Sequence, residues 1–576
     1  MGLVMPQSST AQCGTETLAL LASFIGLASH AWVKKHEPTL FGFLAWLLLL
    51  TGFFLYCSNV GVDRFNLSSI RVMPMMIAMS FYIVVLSASI ATYRLFINPL
   101  RKFPGDTMAG LTKWHGFWIA HKGMTHHSLL RKHQQYGDYI RVGPNEISIT
   151  DPKYIPMIHG NKSKFPKGPW YEHMLPDQPP SLIAILPYDE HKSRRKVWDE
   201  VLTPKALRVY EKRINSLIND LQDVFAEFAK NGEAFDLALW TEHLLFDAIG
   251  KIAFNVEFHS IRDRTPHFYV DFIHQALKFV ASFANVSWIK PLLAKLPLDR
   301  KQLEDVKRFQ AFGNENLMER IQKEGSSEID ALGFLLRAAE RNPAYKLSVP
   351  ELASETGLII AAGSDTTSIA ITSAMYWLLT HKEAYYKLRD ECENLWGPSE
   401  SVEWAKLGDT KRAPYLNACV SEALRLLPPG PNGMQRVVNT KGGITVNDIY
   451  VPEGTKINVH PWTIHHDSRL FEKPWDFIPE RWIPGSSFKG THTPDAYIPF
   501  ALGAYSCIGK PLALLQIRMY LVSMVTKFDF EIAPGFDKRN FIENTQAFFG
   551  LTKLPLPVRC TITSKTEGTD YLGTKT

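Results

Sequence analysis

The sequence has no cysteine framework, no strong net charge and no repeat. Its six cysteines lie far apart, without a C-x-x-C pair or a histidine at zinc-finger spacing, at positions 13, 57, 392, 419, 507 and 560. A disulfide scaffold or a structural zinc site is therefore not expected. The 63 basic and 57 acidic side chains leave a charge of only +6 over 576 residues. This charge is too small to indicate a nucleic-acid partner.

The apolar residues are concentrated near the N-terminus. Residues 17–33, 39–62 and 72–93 carry no formal charge over 17, 24 and 22 positions. Because a helix needs about 20 apolar residues to cross a membrane, the second and third segments are long enough and the first is slightly short. Buried helices of a soluble core are the alternative, but such a core rarely uses three such runs in succession. We therefore expect residues 1–98 to form a membrane anchor with three transmembrane helices.

Basic residues near these segments indicate their orientation. Lys34 and Lys35 follow the first segment and Arg94 follows the third, whereas residues 63–71 hold two arginines and one aspartate. The positive-inside rule puts the Lys34–Lys35 turn and everything after Arg94 in the cytoplasm. The chain is therefore expected to be multi-pass, with a cytoplasmic domain after the third segment.

Residues 99–563 are expected to form one domain, because they contain no Gly/Ser-rich linker and no repeat. Much of this region carries apolar residues at helical spacing. The alternating segment 139–149 predicts a β-hairpin. Ser348 and Glu351 have the spacing of a capping box and predict the start of a long helix. We expect a mainly α fold with small β-sheets, followed by a polar, disordered tail at 564–576.

Residues 500–509, with the sequence FALGAYSCIG, place one cysteine between two glycines at the start of a predicted helix. Gly503 allows a tight turn, and Gly509 allows the helix to approach a flat cofactor closely. Phe500 can pack beside the sulfur and exclude water. The N–H groups at the helix start are expected to lower the pKa of Cys507 and favour the thiolate that a metal requires. An ordinary buried cysteine is the alternative, and residue chemistry alone leaves both interpretations open.

This segment resembles the haem-binding loop of the cytochrome P450 family of haem-thiolate monooxygenases. The resemblance implies that Cys507 is the axial ligand of the iron in haem b. One position differs, because the family usually has Arg or His two residues before the ligand, reaching a haem propionate, and this chain has Tyr505. A tyrosine offers a neutral hydrogen bond but no charge. The propionates must therefore find cations elsewhere in the chain.

Three basic residues match other propionate contacts of the family. His191 and Arg195 are four residues apart and share one helix face. They match the family's His/Trp-x-x-x-Arg pair. Arg436, on a strand-like segment, matches another frequent contact. Spacing alone would favour a solvated helix face for His191 and Arg195, and only the other motifs support the cofactor interpretation.

The sequence AGSDTT at 362–367 lies in the middle of the long predicted helix. A glycine inside an apolar helix costs about 1 kcal/mol relative to alanine, and threonine hydroxyls can take over a backbone carbonyl and open a small groove. The segment resembles the oxygen-binding helix of the family. The resemblance implies that Thr366 orients water and that Asp365 relays protons from solvent. A helix kink without chemistry is the alternative.

Glu422 and Arg425 are three residues apart and neighbours on a helix, and Arg481 lies downstream in the sequence PERW. Such a pair would by itself be interpreted as a surface ion pair. The resemblance instead implies a structural network of Glu422, Arg425 and Arg481 beneath the haem. The motifs occur in the family's order, and the resemblance covers residues 95–560.

The chain is also similar to fungal microsomal members of secondary metabolism, in segments such as RVGPNEISITDP. This similarity implies an endoplasmic reticulum membrane protein whose cytoplasmic domain hydroxylates or oxidises a hydrophobic small molecule, such as a terpenoid, an alkaloid or a polyketide. The enzyme would use O2 and electrons from NADPH, delivered by NADPH-cytochrome P450 reductase. Membrane lipid is a further expected partner, and nucleic acid is not.

Family position also indicates side chains that would meet the substrate and the reductase. The substrate-facing side chains are expected to include Trp170, Phe279, Phe283, Trp288, Met434, Phe548 and Phe549. A basic surface for an acidic reductase is expected from Lys192, Arg194, Lys196, Lys510 and Arg518. Simple core packing and a solvated basic face are the respective alternatives.

Three other functions are possible on the sequence. A haem-thiolate isomerase or dehydratase that does not use O2 is disfavoured by the Asp365–Thr366 pair, which such an enzyme would not need. A non-enzymatic haem sensor or carrier would lack turnover that depends on NADPH and O2. A multi-pass transporter is disfavoured because we expect no apolar run of spanning length after Tyr93.

Overall fold

The computed structural model describes residues 14–34, 36, 40–59, 71–172, 178–293, 300–322, 330–395, 407–433, 435–552 and 554–563. Residues 63–70, which lie between the second and third apolar segments, the predicted tail (564–576) and Met434 lie outside the described residues.

Helices make up most of the described chain. They are α1 (Thr15–Val33), α2 (Leu40–Ser58), α3 (Met73–Thr92), α4 (Thr107–Leu111), α5 (Trp114–His121), α6 (Thr125–Tyr136), α7 (Ile155–His159), α8 (Tyr188–Asp199), α9 (Pro204–Asn231), α10 (Leu237–Ala253), α11 (Ser260–Asp263), α12 (Phe268–Ala284), α13 (Lys290–Leu293), α14 (Arg300–Gln322), α15 (Ala331–Arg341), α16 (Val349–Thr380), α17 (Lys382–Leu395), α18 (Pro414–Leu426), α19 (Pro461–His465), α20 (Lys510–Lys527) and α21 (Lys538–Glu543).

The strands form three small sheets. They are β1 (Tyr139–Gly143), β2 (Glu146–Ile149), β3 (Phe235–Asp236), β4 (Arg436–Val437), β5 (Ile444–Val446), β6 (Ile449–Val451), β7 (Lys456–Asn458), β8 (Phe528–Ile532) and β9 (Pro557–Ile562). The strand orders are β1-β2-β7-β4, β3-β9-β8 and β5-β6.

The predicted hairpin at 139–149 is present. β1 and β2 pair antiparallel with Tyr139 opposite Ile149, and the register shifts between Arg141 and Gly143. β2 also pairs in parallel with β7, so distant parts of the chain share one sheet. This helical fold with small sheets confirms the expected fold class.

The three N-terminal helices pack around a small cluster that includes Leu18, Phe54 and Tyr82. Each is long and apolar enough to cross a membrane, and only 22%, 11% and 17% of their apolar windows are buried. Leu20 and Leu48 are each 74% exposed. Apolar surface on this scale is unfavourable in water but not in lipid. The helices therefore suggest a membrane anchor.

Helix α16 is also long and apolar enough to cross a membrane, but 67% of its apolar window is buried within the protein. The expectation that no such run follows Tyr93 is therefore wrong. The helix begins as predicted, because Ser348 and Glu351 make both hydrogen bonds of a capping box. It packs against α10, α14, α18 and α20, so it is a central helix of the domain.

Gly363 lies where α16 crosses α10. A Cβ atom at this position would come within 2.6 Å of Ile249 Cδ1, well inside the normal contact distance between carbon atoms. The glycine therefore allows the two helices to pack closely, which is the physical reason for a residue that costs about 1 kcal/mol in a helix interior.

Glu422, Arg425 and Arg481 form a network in which all three side chains are fully buried. Arg425 Nη2 lies 2.8 Å and Arg481 Nε lies 2.9 Å from Glu422 Oε1. Trp482 Nε1 donates to the other carboxylate oxygen, and Arg425 Nη1 donates to the carbonyl oxygen of His465. The network therefore joins α18 to two segments that follow it in the chain, and it is not a surface ion pair.

A short π-helical turn, Tyr93–Ile97, follows α3. Arg94 Nη1 donates to the carbonyl oxygen of Leu111 (2.6 Å), and Arg141 Nη1 donates to the carbonyl oxygen of Arg94 (2.7 Å). Arg141 Nη2 also donates to the carbonyl oxygen of Pro144 (2.7 Å). These bonds connect the end of α3 to α4 and to the β1–β2 hairpin.

The Glu422→Gln substitution is expected to lower the unfolding temperature of the detergent-solubilised protein sharply. Two buried guanidinium groups would lose their counter-charge, which corresponds to roughly 3–5 kcal/mol. Burial raises the pKa of Glu422, but the hydrogen bonds and charges of Arg425 and Arg481 outweigh it and hold the pKa below its usual value. The contribution of the carboxylate is therefore present at neutral pH and is lost as the pH falls through that lowered pKa.

Glu304→Gln is the matched control, because Glu304 pairs with Arg300 on an exposed helix face. It is expected to leave the unfolding temperature unchanged. Equal unfolding temperatures for the Glu422→Gln and Glu304→Gln proteins would contradict the prediction.

Candidate active site

Cys507 lies in a loop between a short 3-10 turn, Gly503–Tyr505, and α20. Its backbone N–H donates to the carbonyl oxygen of Phe500 (2.8 Å). Gly503 has a φ of +66°, and a Cβ atom there would lie 2.2 Å from the carbonyl oxygen of His159. Because neither the backbone angle nor the space suits a larger residue, the turn before Cys507 depends on this glycine.

The side chain of Cys507 is exposed, although protein atoms surround it closely enough for burial to raise the pKa of its thiol. The backbone N–H groups of Gly509 and Lys510 and the charge of Arg195 lower the pKa, but burial outweighs them. The expected effect of the N–H groups is therefore present, but in the protein alone the pKa of Cys507 lies above its usual value. Coordination by a metal would deprotonate a thiol in this position.

The neighbours of Cys507 leave one side of the sulfur open. Among the described residues, a Cβ atom at Gly509 would contact only Cys507 Sγ, at 3.8 Å. Phe500 is half-buried and packs against the main hydrophobic core. Ile508 packs against the same buried cluster as the first half of α16. The loop is therefore held between the core and the central helix.

Helix α8 presents two basic residues to this loop. Arg195 Nη1 donates to the carbonyl oxygen of Ser506 (2.5 Å). One turn earlier, His191 is buried, and its ring centre lies 4.5 Å from that of Tyr505. The structure therefore brings His191 and Arg195 together at the loop, and a fully solvated helix face is excluded.

Tyr505 lies between two cationic side chains. Arg436 Cζ is 4.4 Å and Lys167 Nζ is 5.3 Å from the centre of the tyrosine ring. The backbones of Lys167 and Arg436 form an isolated antiparallel bridge, and both residues are buried. Lys167 Nζ also donates to the carbonyl oxygens of Leu182 (2.9 Å) and Ile183 (2.8 Å). Tyr505, two residues before the cysteine, thus has no charge of its own, but charged side chains from other segments lie around it.

This cluster fits an anionic cofactor. Three buried atoms, Tyr505 Oη, His191 Nδ1 and Arg436 Nε, have no hydrogen-bond partner among the described residues. In the part of the chain that the structure describes, no carboxylate lies within ion-pair distance of Lys167 or Arg436, although the charge of Glu355 acts on Lys167 from farther away. Burial and neighbouring cations lower the pKa of His191 to about 3 and that of Lys167 to about 7. Buried donors of one sign require an anion, and the two carboxylates of haem meet this requirement.

Asp365 and Thr366 have different surroundings on α16. Thr366 Oγ1 donates to the carbonyl oxygen of Ala362 (2.7 Å), as expected for a hydroxyl that takes over a helical carbonyl. Ala362 is exposed and Thr366 is partly exposed, so this side of the helix borders open space. Asp365 is buried, and its Oδ1 lies 3.0 Å from His274 Nε2 on α12.

Lys167 and His274 join the site without a signal in the sequence. Lys167 stands in the sequence Pro-Lys-Gly, which is typical of an exposed turn. His274 precedes Asp365 by 91 positions and matches no motif. Only the folded chain brings these two side chains to the residues that the motifs identify.

The basic surface is smaller than the sequence predicts. Arg194 pairs with Glu351 (2.5 Å) and Glu355 (2.8 Å), and Arg518 donates to Asn417 (2.9 Å). Both arginines are therefore engaged within the domain. The exposed members of the set are Lys192, Lys196 and Lys510.

A cavity opens among α5, α12 and the segment before β4. Its lining includes Gly116, Ala281, Trp170, Asn432, Gln435 and Phe548. Trp170 stacks on Phe549, with 5.4 Å between ring centres. Two other aromatic residues of the expected lining pack elsewhere, Phe283 against Phe117 and Trp288 against Trp114. The aromatic part of this cavity therefore centres on Trp170 and Phe548.

Comparison with known proteins agrees with this architecture. The family model "Cytochrome P450" matches residues 104–561. A protein called cytochrome P450 monooxygenase orf5, from Eupenicillium brefeldianum, is 30% identical over 486 residues, which cover 84% of this chain and 95% of the relative. Tryprostatin B 6-hydroxylase from Aspergillus fumigatus is 29% identical over 572 residues, covering 96% and 97%. A crystal structure of a cytochrome P450 (CYP102L1) has a TM-score of 0.63 at 21% identity, covering 76% of this chain and 94% of that chain.

The fold and the family match define a haem-thiolate enzyme. This chain belongs to the cytochrome P450 family of monooxygenases. Its cofactor is thiolate-ligated haem b, and family membership implies a substrate, O2 and a redox partner.

The Gly503→Ala substitution is expected to reduce both the yield of haem-loaded protein and its unfolding temperature. A side chain at positive φ costs roughly 1–2 kcal/mol, and the new Cβ atom would also collide with the carbonyl oxygen of His159. The measurements are haem content per polypeptide and thermal unfolding in detergent.

Gly232→Ala separates the backbone penalty at positive φ from the collision of the new Cβ atom. Gly232 has a similar φ of +70°, but apart from its chain neighbours no atom of the described residues lies within 4 Å of the point that a Cβ atom would occupy there. It should show only the backbone penalty of roughly 1–2 kcal/mol and keep full haem content. If both variants lose the same amount of haem, the steric role of Gly503 is refuted.

Proposed function

We propose that this chain is a monooxygenase of the endoplasmic reticulum membrane that hydroxylates or oxidises a hydrophobic secondary metabolite. Residues 1–98 would form the anchor and residues 99–563 the catalytic domain, with electrons from NADPH supplied by NADPH-cytochrome P450 reductase. The observation that carries the proposal is the cluster around Tyr505, where buried cations and unpartnered donors adjoin the loop of Cys507.

Haem bound at this cluster would supply the reductive activation of O2. Cys507 would bind the iron through its exposed sulfur. His191, Arg195 and Arg436 would hold the propionates, and Lys167 would contribute the charge that Tyr505 lacks. A set of cations drawn from separate segments can thus replace a basic residue in the cysteine loop.

Thr366 and Asp365 of α16 would orient water and transfer protons. Thr366 Oγ1 uses its hydrogen in a bond to the carbonyl oxygen of Ala362, so its lone pairs remain available to accept a hydrogen bond from water. Asp365 can hold a proton at Oδ1, one position earlier on the helix. The pair therefore supports a reaction that consumes protons, in preference to a rearrangement that does not.

Two kinds of surface support the proposed environment. The exposed apolar faces of α1, α2 and α3 suit lipid, and Lys34 and Arg94 favour a cytoplasmic catalytic domain. Lys192, Lys196 and Lys510 would meet an acidic reductase by electrostatic attraction. The aromatic groups of Trp170 and Phe548 give the cavity an apolar portion for a hydrophobic substrate.

The proposed reaction can be tested in microsomes that contain the chain and a reductase. Incubation with NADPH, isotopically labelled dioxygen and an extract of apolar fungal metabolites should give a product that carries one labelled oxygen atom. Cys507→Ala should abolish this product and the thiolate-type absorption band of the reduced, CO-bound protein. Both effects are expected because the alanine has no sulfur to bind the iron.

Cys560→Ala is the control, because Cys560 is buried on β9 in the hydrophobic core, where its thiol donates to the carbonyl oxygen of Phe225 (3.5 Å). It should keep the band. A Cys507→Ala protein that retains the thiolate band would overturn the assignment of the ligand. Product formed without label from dioxygen would favour the isomerase or dehydratase alternative.

The contribution of Lys167 can be measured as haem retention. Lys167→Met should speed the transfer of haem to apomyoglobin by roughly 10- to 100-fold, because a charged hydrogen bond is worth about 1.5–3 kcal/mol. Lys167→Arg should retain haem better than Lys167→Met, since it keeps the charge. Lys162→Met changes an exposed lysine five residues away and should leave the transfer rate unchanged. Equal rates for the two methionine variants would refute the role of Lys167.

A further inference from the structure

Asp365 is a buried carboxylate in the middle of α16, so its charge requires a partner. His274, on the neighbouring helix α12, provides one, because its Nε2 lies 3.0 Å from Asp365 Oδ1. The two side chains differ in exposure, with 37% for His274 and 11% for Asp365. The imidazole therefore reaches from the buried carboxylate toward solvent.

Acidic groups surround His274 from three helices. A carboxylate oxygen of Glu242, on α10, lies within 4.8 Å of the facing atoms of both His274 and Asp365. Asp271 lies three residues before His274 on α12. The hydrogen bond to Asp365 raises the pKa of His274, against the effect of burial, and the charges of Asp365 and Asp271 add to the rise. Lys278, one turn later, lies against the ring of Phe548 (5.5 Å).

We infer that His274 is a positioning residue that holds Asp365 toward α12 and supplies it with protons from solvent. This inference rests on the proposed role of Asp365 and Thr366. His274 would act together with Asp365 and Thr366, although it belongs to α12 and they belong to α16. An imidazolium suits the position because it is both a hydrogen-bond donor to the carboxylate and a group that exchanges protons near neutral pH.

The proton transfer balances within these groups and water. The Nε2–H bond of the imidazolium breaks, and an O–H bond forms at Asp365 Oδ1, which leaves a neutral imidazole and a neutral carboxyl group. Water at the exposed edge of His274 then returns a proton to the ring. When Asp365 passes its proton onward, the original ion pair is restored, and no electron has moved.

A purely structural hydrogen bond and a proton supply differ in their dependence on charge. Glutamine can keep a neutral donor near Asp365 but cannot carry a proton, so His274→Gln separates the two roles. The matched control is Gln275→Ala, an exposed neighbour on the same helix. Asp365→Asn and the double variant with His274→Gln complete the set.

The test uses the full-length, haem-loaded protein with NADPH-cytochrome P450 reductase in air, and NADPH is the probe. NADPH consumption is followed from about pH 6 to about pH 9, and each rate is divided by the rate of the same reductase toward cytochrome c. The wild-type rate should fall several-fold as the pH rises through the raised pKa of His274, because the imidazolium is lost. The His274→Gln rate should be about tenfold lower at the acidic end and nearly independent of pH.

The double variant should be no slower than Asp365→Asn alone, since His274 acts through Asp365. A His274→Gln protein that keeps the wild-type pH slope, or a double variant whose effects add, would overturn the inference. The unfolding temperatures of the wild-type, His274→Gln, Asp365→Asn and double-variant proteins give a readout that does not depend on turnover. The coupling between the two positions should be larger at about pH 6 than at about pH 8.5, and equal coupling at both would also overturn the inference.

The measurements distinguish a failure of the proposed function from a failure of the role of His274 alone. If the reduced, CO-bound wild-type protein lacks the thiolate band, the proposed function fails and the role of His274 fails with it. If the band is present and the His274→Gln protein behaves like Gln275→Ala, only the role of His274 is refuted.

Discussion

Positive charge buried inside the domain must be balanced by negative charge, which comes either from a carboxylate of the protein or from a bound anion. Arg425 and Arg481 share the carboxylate of Glu422, so their network is closed within the protein. Lys167 and Arg436 surround Tyr505 with no carboxylate paired to them among the described residues. The closed network stabilises the fold, whereas the open one is complete only when an anion binds. This difference separates the structural arginines of the protein from those of its cofactor site.

Much of the fold and part of the site follow from local sequence signals. The capping box at Ser348 predicts the start of α16 correctly, and alternation predicts the β1–β2 hairpin. The motif around Cys507 leads to the right family, and Gly503 within it meets a backbone requirement of the turn itself. These signals lie within short segments of the sequence, so they can be recognised without knowing which distant residues come into contact.

The remaining features depend on contacts between distant segments. Lys167 reaches the Tyr505 ring through a bridge to Arg436, and nothing near it in the sequence distinguishes it from a surface lysine. Arg194 lies among exposed lysines in the sequence but pairs with Glu351 and Glu355 of α16. The pKa of Cys507 likewise depends on burial, which the residues of its own loop do not reveal.

The hydrogen bonds of Arg94 and Arg141 bind the end of α3 directly to the catalytic domain. With α3 fixed in a bilayer, they would restrict how far the domain can tilt or swivel over the lipid surface. The same side of the domain would then face the headgroups at every encounter. An oily compound dissolved in the bilayer could therefore enter from a constant direction, and lateral diffusion in two dimensions would replace a search through water.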